Sequence, residues 1–133
     1  MPSTLDVYQK MSALPQGKRL FSIFYGQKAP YFASIHLAVR EMRPHFAEIT
    51  IPKRRSVQNH IGTVHAIAAC NGLEAAMGLL AEATCPSDSR WLPKGMDVQY
   101  LAKSAGDLSC TAESSPEDWA NGPDVPIRVK AAL

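Results

Sequence analysis

One run restricts the fold of this chain more than any other. Residues 62–83 read Gly-Thr-Val-His-Ala-Ile-Ala-Ala-Cys-Asn-Gly-Leu-Glu-Ala-Ala-Met-Gly-Leu-Leu-Ala-Glu-Ala. The run is Ala-rich, holds no Pro and no basic residue other than one His, and carries a single acid, Glu74, before Glu82. Such a pattern predicts a helix that is apolar nearly all round, and a helix of that kind is buried. Gly62, Gly72 and Gly78 weaken it, by roughly 1 kcal/mol for each one in the helix interior. Their presence makes sense where something approaches the helix backbone closely.

Alternating patterns flank this run. In 34–43, Ile35, Leu37 and Val39 alternate with His36, Ala38 and Arg40. In 46–53, Ala47, Ile49 and Ile51 alternate with Glu48, Thr50 and Pro52, with Pro44-His45 as the hairpin connection between the two. Pro52 marks a strand end or an edge. Three further strands are expected after the helix, over 95–104, 107–113 and 125–131. Ala105-Gly106 would be a tight hairpin, and Asn121-Gly122-Pro123 would form the turn before the last strand. Ahead of all this, residues 3–14 and 17–25 predict two helices, ended by Pro15 and by Gly26 and Pro30. The expected architecture is α+β, an antiparallel sheet curled around one long buried helix. Residues 1–30 would form a helical extension and 31–133 the main domain.

A chain of 133 residues fits one domain. With 14 Lys and Arg against 12 Asp and Glu, the net charge of +2 speaks against a dedicated nucleic-acid binder, which carries a strongly basic face. The apolar share of 46% and charged share of 20% are those of a globular protein. No stretch reaches the roughly 18 consecutive apolar residues of a membrane span. Residues 1–6 lack the basic-then-apolar order of a secretory signal. Cys70, Cys85 and Cys110 form no C-x-x-C pair, so they read as reduced thiols in a cytoplasmic protein, small apolar fillers rather than zinc ligands.

The segment Gln58-Asn59-His60-Ile61-Gly62-Thr63-Val64-His65-Ala66 puts an amide, two imidazoles and a glycine at the mouth of the helix, with Glu74 inside it. A helix N-terminus offers unpaired N–H groups and partial positive charge. It can hold a carbonyl oxygen as that oxygen becomes negative, and the Asn59 side chain can add one more N–H. Glu74 lies between Leu73 and Ala75, and a carboxylate in such company is a candidate general base or nucleophile. Ala66 and Glu74 are about 12 Å apart along a helix axis. One substrate carbon meets both only when two copies of the helix lie antiparallel. That predicts a homodimer with two active sites across its interface.

These residues resemble those of the hotdog-fold thioesterases. The closest likeness is to the phenylacetate-pathway type and to a hotdog branch carrying the run Asn-His-Ile-Gly-Thr-Val-His-Ala. The family's order of Asn, His-Gly and then Asp or Glu falls on Asn59, His65-Ala66 and Glu74 without a gap. The resemblance covers roughly residues 30–131, with the motif confined to 59–74. It implies an acyl-coenzyme A thioesterase working without metal or redox cofactor, as a homodimer or homotetramer. Asn59 and the Ala66 N–H would polarise the thioester carbonyl. Glu74 of the other subunit would activate water or attack directly. His65 would shape the site, while His60, Gly62, Thr63, Lys53, Arg54 and Arg55 would bind substrate, the three cations holding the phosphates of coenzyme A. Two departures stand out. The family often has His-Gly-Gly where this chain has His65-Ala66-Ile67, which leaves the N–H but narrows the acyl space. The family's domain usually ends in one more strand than this chain, which would make the sheet one strand short or the sequence a fragment. Thr84, Ser87 and Ser89 are candidates for holding the water.

A plainer role stands beside each residue. Asn59 also suits a helix cap or turn, His60 an exposed loop, and His65 a structural bond to a backbone carbonyl. Glu74 also suits an ion pair with Arg40 or Arg43, and Lys53-Arg54-Arg55 a solvated strand end. Lys94 and Lys103 are weaker phosphate candidates. Tyr25, Tyr31, Phe32 and Trp91 suit the core as well as an acyl pocket. A metal set of His60, His65 and Cys70 fails because steps of five residues turn about 140° around a helix. Two other activities remain open on the same fold: a non-catalytic acyl-coenzyme A sensor, in which an ion pair would occupy Glu74, and a hydratase or dehydratase.

Overall fold

The computed structural model describes residues 3–133, so Met1 and Pro2 of the stretch read for a secretory signal lie outside the described residues. Helix α1 (Thr4–Ser12) opens on a capping box in which Ser3 and Asp6 exchange side-chain and backbone hydrogen bonds. Helix α2 (Gly17–Lys28) runs three residues beyond the expected 17–25 and is followed by a single turn, α3 (Pro30–Ala33), that the sequence reading missed. Strands β1 (Ala38–Arg43) and β2 (Phe46–Ile51) pair antiparallel. A 3-10 turn at Arg55–Val57 leads to the long helix α4 (Ala66–Thr84), then come β3 (Leu108–Glu113), the short α5 (Pro116–Ala120) and β4 (Arg128–Ala132). The sheet order is β1-β2-β3-β4, antiparallel throughout.

The alternation read from the sequence holds where the sheet is densest. Ala47, Ile49 and Ile51 of β2 and Leu108, Cys110 and Ala112 of β3 are all buried on the face that packs on α4. β2 ends at Ile51, directly before Pro52. β1 starts at Ala38, later than the expected position 34, because α3 runs into a left-handed residue, His36, at φ 53°. A bulge between Val39 and Glu41 then lets Val39 and Met42 both point inward.

Two expectations fail. Residues 95–104 form no strand, and Ala105-Gly106 forms no hairpin, so two strands and not three follow α4. Alternation supplies a strand's faces but not its ladder. Both edges of β3 are already taken, by β2 and by β4. The outer edge of β1 is covered by α2, where the Ser22 hydroxyl accepts from the Val39 N–H at 2.8 Å and Lys18 donates to the Arg40 carbonyl at 2.8 Å. The last strand begins at Arg128, three residues later than expected, after α5 and a Pro-rich turn.

α4 is long and apolar enough to meet a membrane-span criterion by length and composition alone. It is nonetheless the core helix, with Leu73, Ala75, Ala76, Leu79, Leu80 and Ala81 buried. Gly72 lets Ile51 and Cys110 come so close that a Cβ there would lie 2.5 and 2.9 Å from their side chains. The helix is not buried all round, as the sequence reading held. Ile67 is 54% exposed, and Cys70, Glu74 and Met77 are half-buried on the helix face opposite Gly72, bordered by β4 and segment 90–104. The N-terminal helices join the core through a line of rings, Tyr8 on Phe21 at 5.1 Å, Phe21 on Tyr25 at 6.3 Å and Tyr25 on Phe32 at 5.5 Å.

Candidate active site

α4 starts at Ala66, four residues after the expected Gly62, because residues 58–64 form a tight hairpin of their own. Gln58 and Val64 bridge, and the Asn59 N–H donates to the Thr63 carbonyl at 2.9 Å. Gly62 sits at φ 81° and donates to the Asn59 carbonyl, a conformation suited to glycine. Asn59 clasps the turn. Its Oδ1 accepts from the Ile61 and Thr63 N–H groups at 3.1 Å each, and its Nδ2 donates to the Thr63 hydroxyl at 2.8 Å. The turn role foreseen for Asn59 is therefore present, and one of its two amide hydrogens has no partner among the described residues.

His65 is the N-cap of α4. Its Nδ1 accepts from the Ile67 N–H at 3.0 Å, which sets the tautomer with the proton on Nε2. The Ala66 N–H is the first of the helix and has no intrahelical acceptor. His60, His65, Lys53, Arg54 and Arg55 are exposed. Lys53 is tied back, its Nζ donating to the Ala105 carbonyl at 3.1 Å and its N–H to Asp107 at 2.7 Å.

Two cavities lie end to end along the outward face of α4, under the irregular segment 90–104. One, of about 660 Å³, is lined by Asn59, Thr63, Ala66, Cys70 and Tyr100 and by β4 residues, with Lys103 at its edge. Segment 97–104 faces β4 across this space instead of pairing with it. Within it the Cys70 thiol and the Tyr100 hydroxyl lie 3.5 Å apart, a contact that pushes the Tyr100 phenol up from its ordinary range. The other, of about 730 Å³, is lined by Glu74, Met77, Ala81, Trp91, Trp119 and Ile127 among others. Asn59 and Ala66, expected to hold the carbonyl, and Glu74 thus border different cavities of one chain.

Glu74 is half-buried, more open than its apolar neighbours in sequence suggested. None of the three ion pairs among the described residues involves it. Arg40 donates to Thr50, and Arg43 lies over the Phe46 ring at 4.3 Å. Tyr25 donates to the Ala75 carbonyl at 3.2 Å, and burial, helped by the charges of Glu82 and Glu74, pushes its phenol up so that it stays neutral. Tyr31 is 70% exposed and so is no core residue, whereas Trp91 lines a cavity. Thr84 accepts from the His45 N–H, Ser89 donates to Asp88 and Ser87 is exposed; none of the three borders either cavity. The sequence reading missed Thr63 as the partner of Asn59, and Met77 and Trp119 as walls. The spacing of Ala66, Cys70, Glu74, Met77 and Ala81 on one helix face was the available signal.

The family model for a domain of unknown function, DUF4442, matches residues 17–132. A search of curated proteins returns no match. A crystal structure of a genomics target is 45% identical, with a TM-score of 0.86 over 98% of this chain and 87% of that one. A thioesterase family protein from Silicibacter pomeroyi is 19% identical, with a TM-score of 0.62 over 69% of this chain and 68% of its own. The E. coli PaaI protein, from the phenylacetic acid degradation operon, is 15% identical, with a TM-score of 0.55 over 74% of this chain and 76% of its own. Likeness at these last two identities speaks for the fold. With an antiparallel sheet wrapped on one long helix and a family match running from α2 through β4, the chain has the hotdog fold and belongs to the family of the domain of unknown function DUF4442.

Proposed function

We propose that the protein is an acyl-coenzyme A thioesterase that works as a homodimer in the cytoplasm. In this reading the Ala66 N–H and the Asn59 amide of one subunit hold the thioester carbonyl oxygen, helped by the positive end of α4. Glu74 of the second subunit takes a proton from water as the water oxygen attacks the carbonyl carbon. The C–S bond then breaks, the thiolate takes up the proton, and a free acid and a thiol leave. Direct attack by Glu74, giving an anhydride that water opens, uses the same geometry. Lys53, Arg54 and Arg55, exposed just before the motif, would meet the coenzyme phosphates, and His60, Gly62 and Thr63 would border the thioester.

The observation that carries this reading is the separation of Ala66 and Asn59 from Glu74 into neighbouring cavities on the α4 face opposite Gly72, beneath segment 90–104. A second α4 laid antiparallel would bring each half beside the other half of its twin. Support for a partner comes from Ile67, Met96, Tyr100 and Leu101, large apolar side chains exposed on or near that face. Glu74 forms no ion pair among the described residues, which favours hydrolysis over the sensor, where an ion pair would occupy the acid. The thioesterase name of the Silicibacter pomeroyi protein points the same way. The three cysteines are free, as a reducing compartment would keep them.

The test is thiol release from a panel of acyl-coenzyme A esters, with Glu74→Ala as control. Release that the substitution abolishes supports the reading. Tight binding without turnover in the unaltered protein would replace it with the sensor.

A further inference from the structure

The cavity beside Glu74 has a direction. Its α4 wall runs from Glu74 through Met77 to Ala81, about 10 Å along the helix axis. Beyond the carboxylate the wall is apolar, made by Met77, Ala81, Trp91, Trp119, Ile127 and Val129. The charged groups, Arg90, Lys94, Asp97 and Asp124, are exposed and sit at the rim, and Lys94 and Asp124 are joined there at 2.8 Å.

Both tryptophans of the chain face this space, and both are held from behind. The Trp91 indole N–H donates to Glu82 at 3.3 Å. Its ring lies so close over Gly78 that a Cβ there would be 3.3 Å away. The Trp119 indole N–H donates to the Ser114 hydroxyl at 3.0 Å. With their polar atoms engaged elsewhere, the rings offer the cavity carbon surface. Ala81 is 1% exposed and forms the inner end of the α4 wall.

Resting on the thioesterase reading, we propose that this cavity takes the hydrocarbon chain of the acyl group. The chain would be held by the same subunit that supplies Glu74, and Ala81 with the two tryptophans would limit its length. With a C–C bond of about 1.5 Å, an extended chain advances about 1.3 Å per carbon, so 10 Å accepts roughly eight carbons. An apolar wall with charge confined to its rim suits a hydrocarbon chain better than a polar acyl group.

The experiment uses free saturated fatty acids of four to sixteen carbons and reads intrinsic tryptophan fluorescence, which requires no catalysis. Binding is expected to tighten about fourfold per added carbon and to stop tightening near eight. Ala81→Leu fills the end and moves the limit down by about two carbons, with short acids bound as before. Trp91→Ala opens the end and moves the limit up, with Trp119 still reporting, so the pair of variants stays informative even when the buried substitution impairs folding. Affinity that climbs evenly to sixteen carbons, a fluorescence signal blind to every acid, or a limit that neither variant moves would overturn the proposal. A length limit without thioester hydrolysis would leave the cavity assignment standing and remove the thioesterase reading. Hydrolysis indifferent to chain length and to both variants would do the reverse.

Discussion

Glu74 is half-buried, has no ion-pair partner among the described residues, and shares its helix face with Met77 and Ala81. Glu74→Gln keeps the shape and removes the proposed base. Thioester hydrolysis is expected to fall at least about 100-fold, with stability within about 0.5 kcal/mol of the unaltered protein, read from kcat and a urea midpoint. Two further groups, besides the buried Tyr25, shape the response to alkali. Burial pushes the Cys110 thiol from 9.0 up to about 12. Burial, then the charge of Glu41 and its hydrogen bond, pushes the Tyr8 phenol from 10.0 up to about 12. In both cases the fold favours the neutral form. Their contribution is therefore complete below the unfolded values and is lost as pH rises toward 12. The urea midpoint should decline from about pH 9 upward, and Cys110→Val or Tyr8→Phe should flatten that decline; a midpoint level from pH 8 to 11 would refute it. At this scale the motif residues were legible because the helix mouth is a local feature. The clasp of Asn59 on Thr63 was not, because it depends on the left-handed turn at Gly62.

α4 holds two interior glycines for packing reasons that differ in strictness. At Gly72 an added Cβ meets Ile51 and Cys110 at 2.5 and 2.9 Å, deep in the sheet contact. Gly72→Ala gains roughly 1 kcal/mol of helix propensity but overpacks a filled core at a cost of about 1–3 kcal/mol. The net expectation is destabilisation, measured as a lower denaturant midpoint with an unchanged slope. The close approach read from the glycines is thus real at Gly72 against the sheet and at Gly78 against Trp91 and Tyr25. Segment 95–104 teaches the opposite lesson. Its alternation of Met96, Val98, Tyr100 and Ala102 is as regular as that of β3, yet it forms no ladder, since both edges of β3 are occupied and β4 lies across a cavity from it.

Over the whole molecule, the split of the candidate site between two cavities leads to one assembly experiment. Asn59→Ala and Glu74→Ala each disable every site of a symmetric dimer. Unfolded together in equal amounts and refolded, they form heterodimers in half of the dimers, each with one intact site of two, so about one quarter of the unaltered activity should return. No recovery on mixing would place all the chemistry within one chain. What the residue order determined by itself was what repeats locally: the apolar period of the core helix, the alternating faces of β2 and β3, and a helix mouth at residues 58–66. Periodicity decides which side of an element is apolar, because side-chain direction follows backbone geometry. It says nothing of which elements become neighbours. Only the packed chain decided that segment 95–104 finds no strand partner and that Ala66 and Glu74 border separate cavities. Those outcomes depend on which edges and faces distant parts of the chain have already occupied.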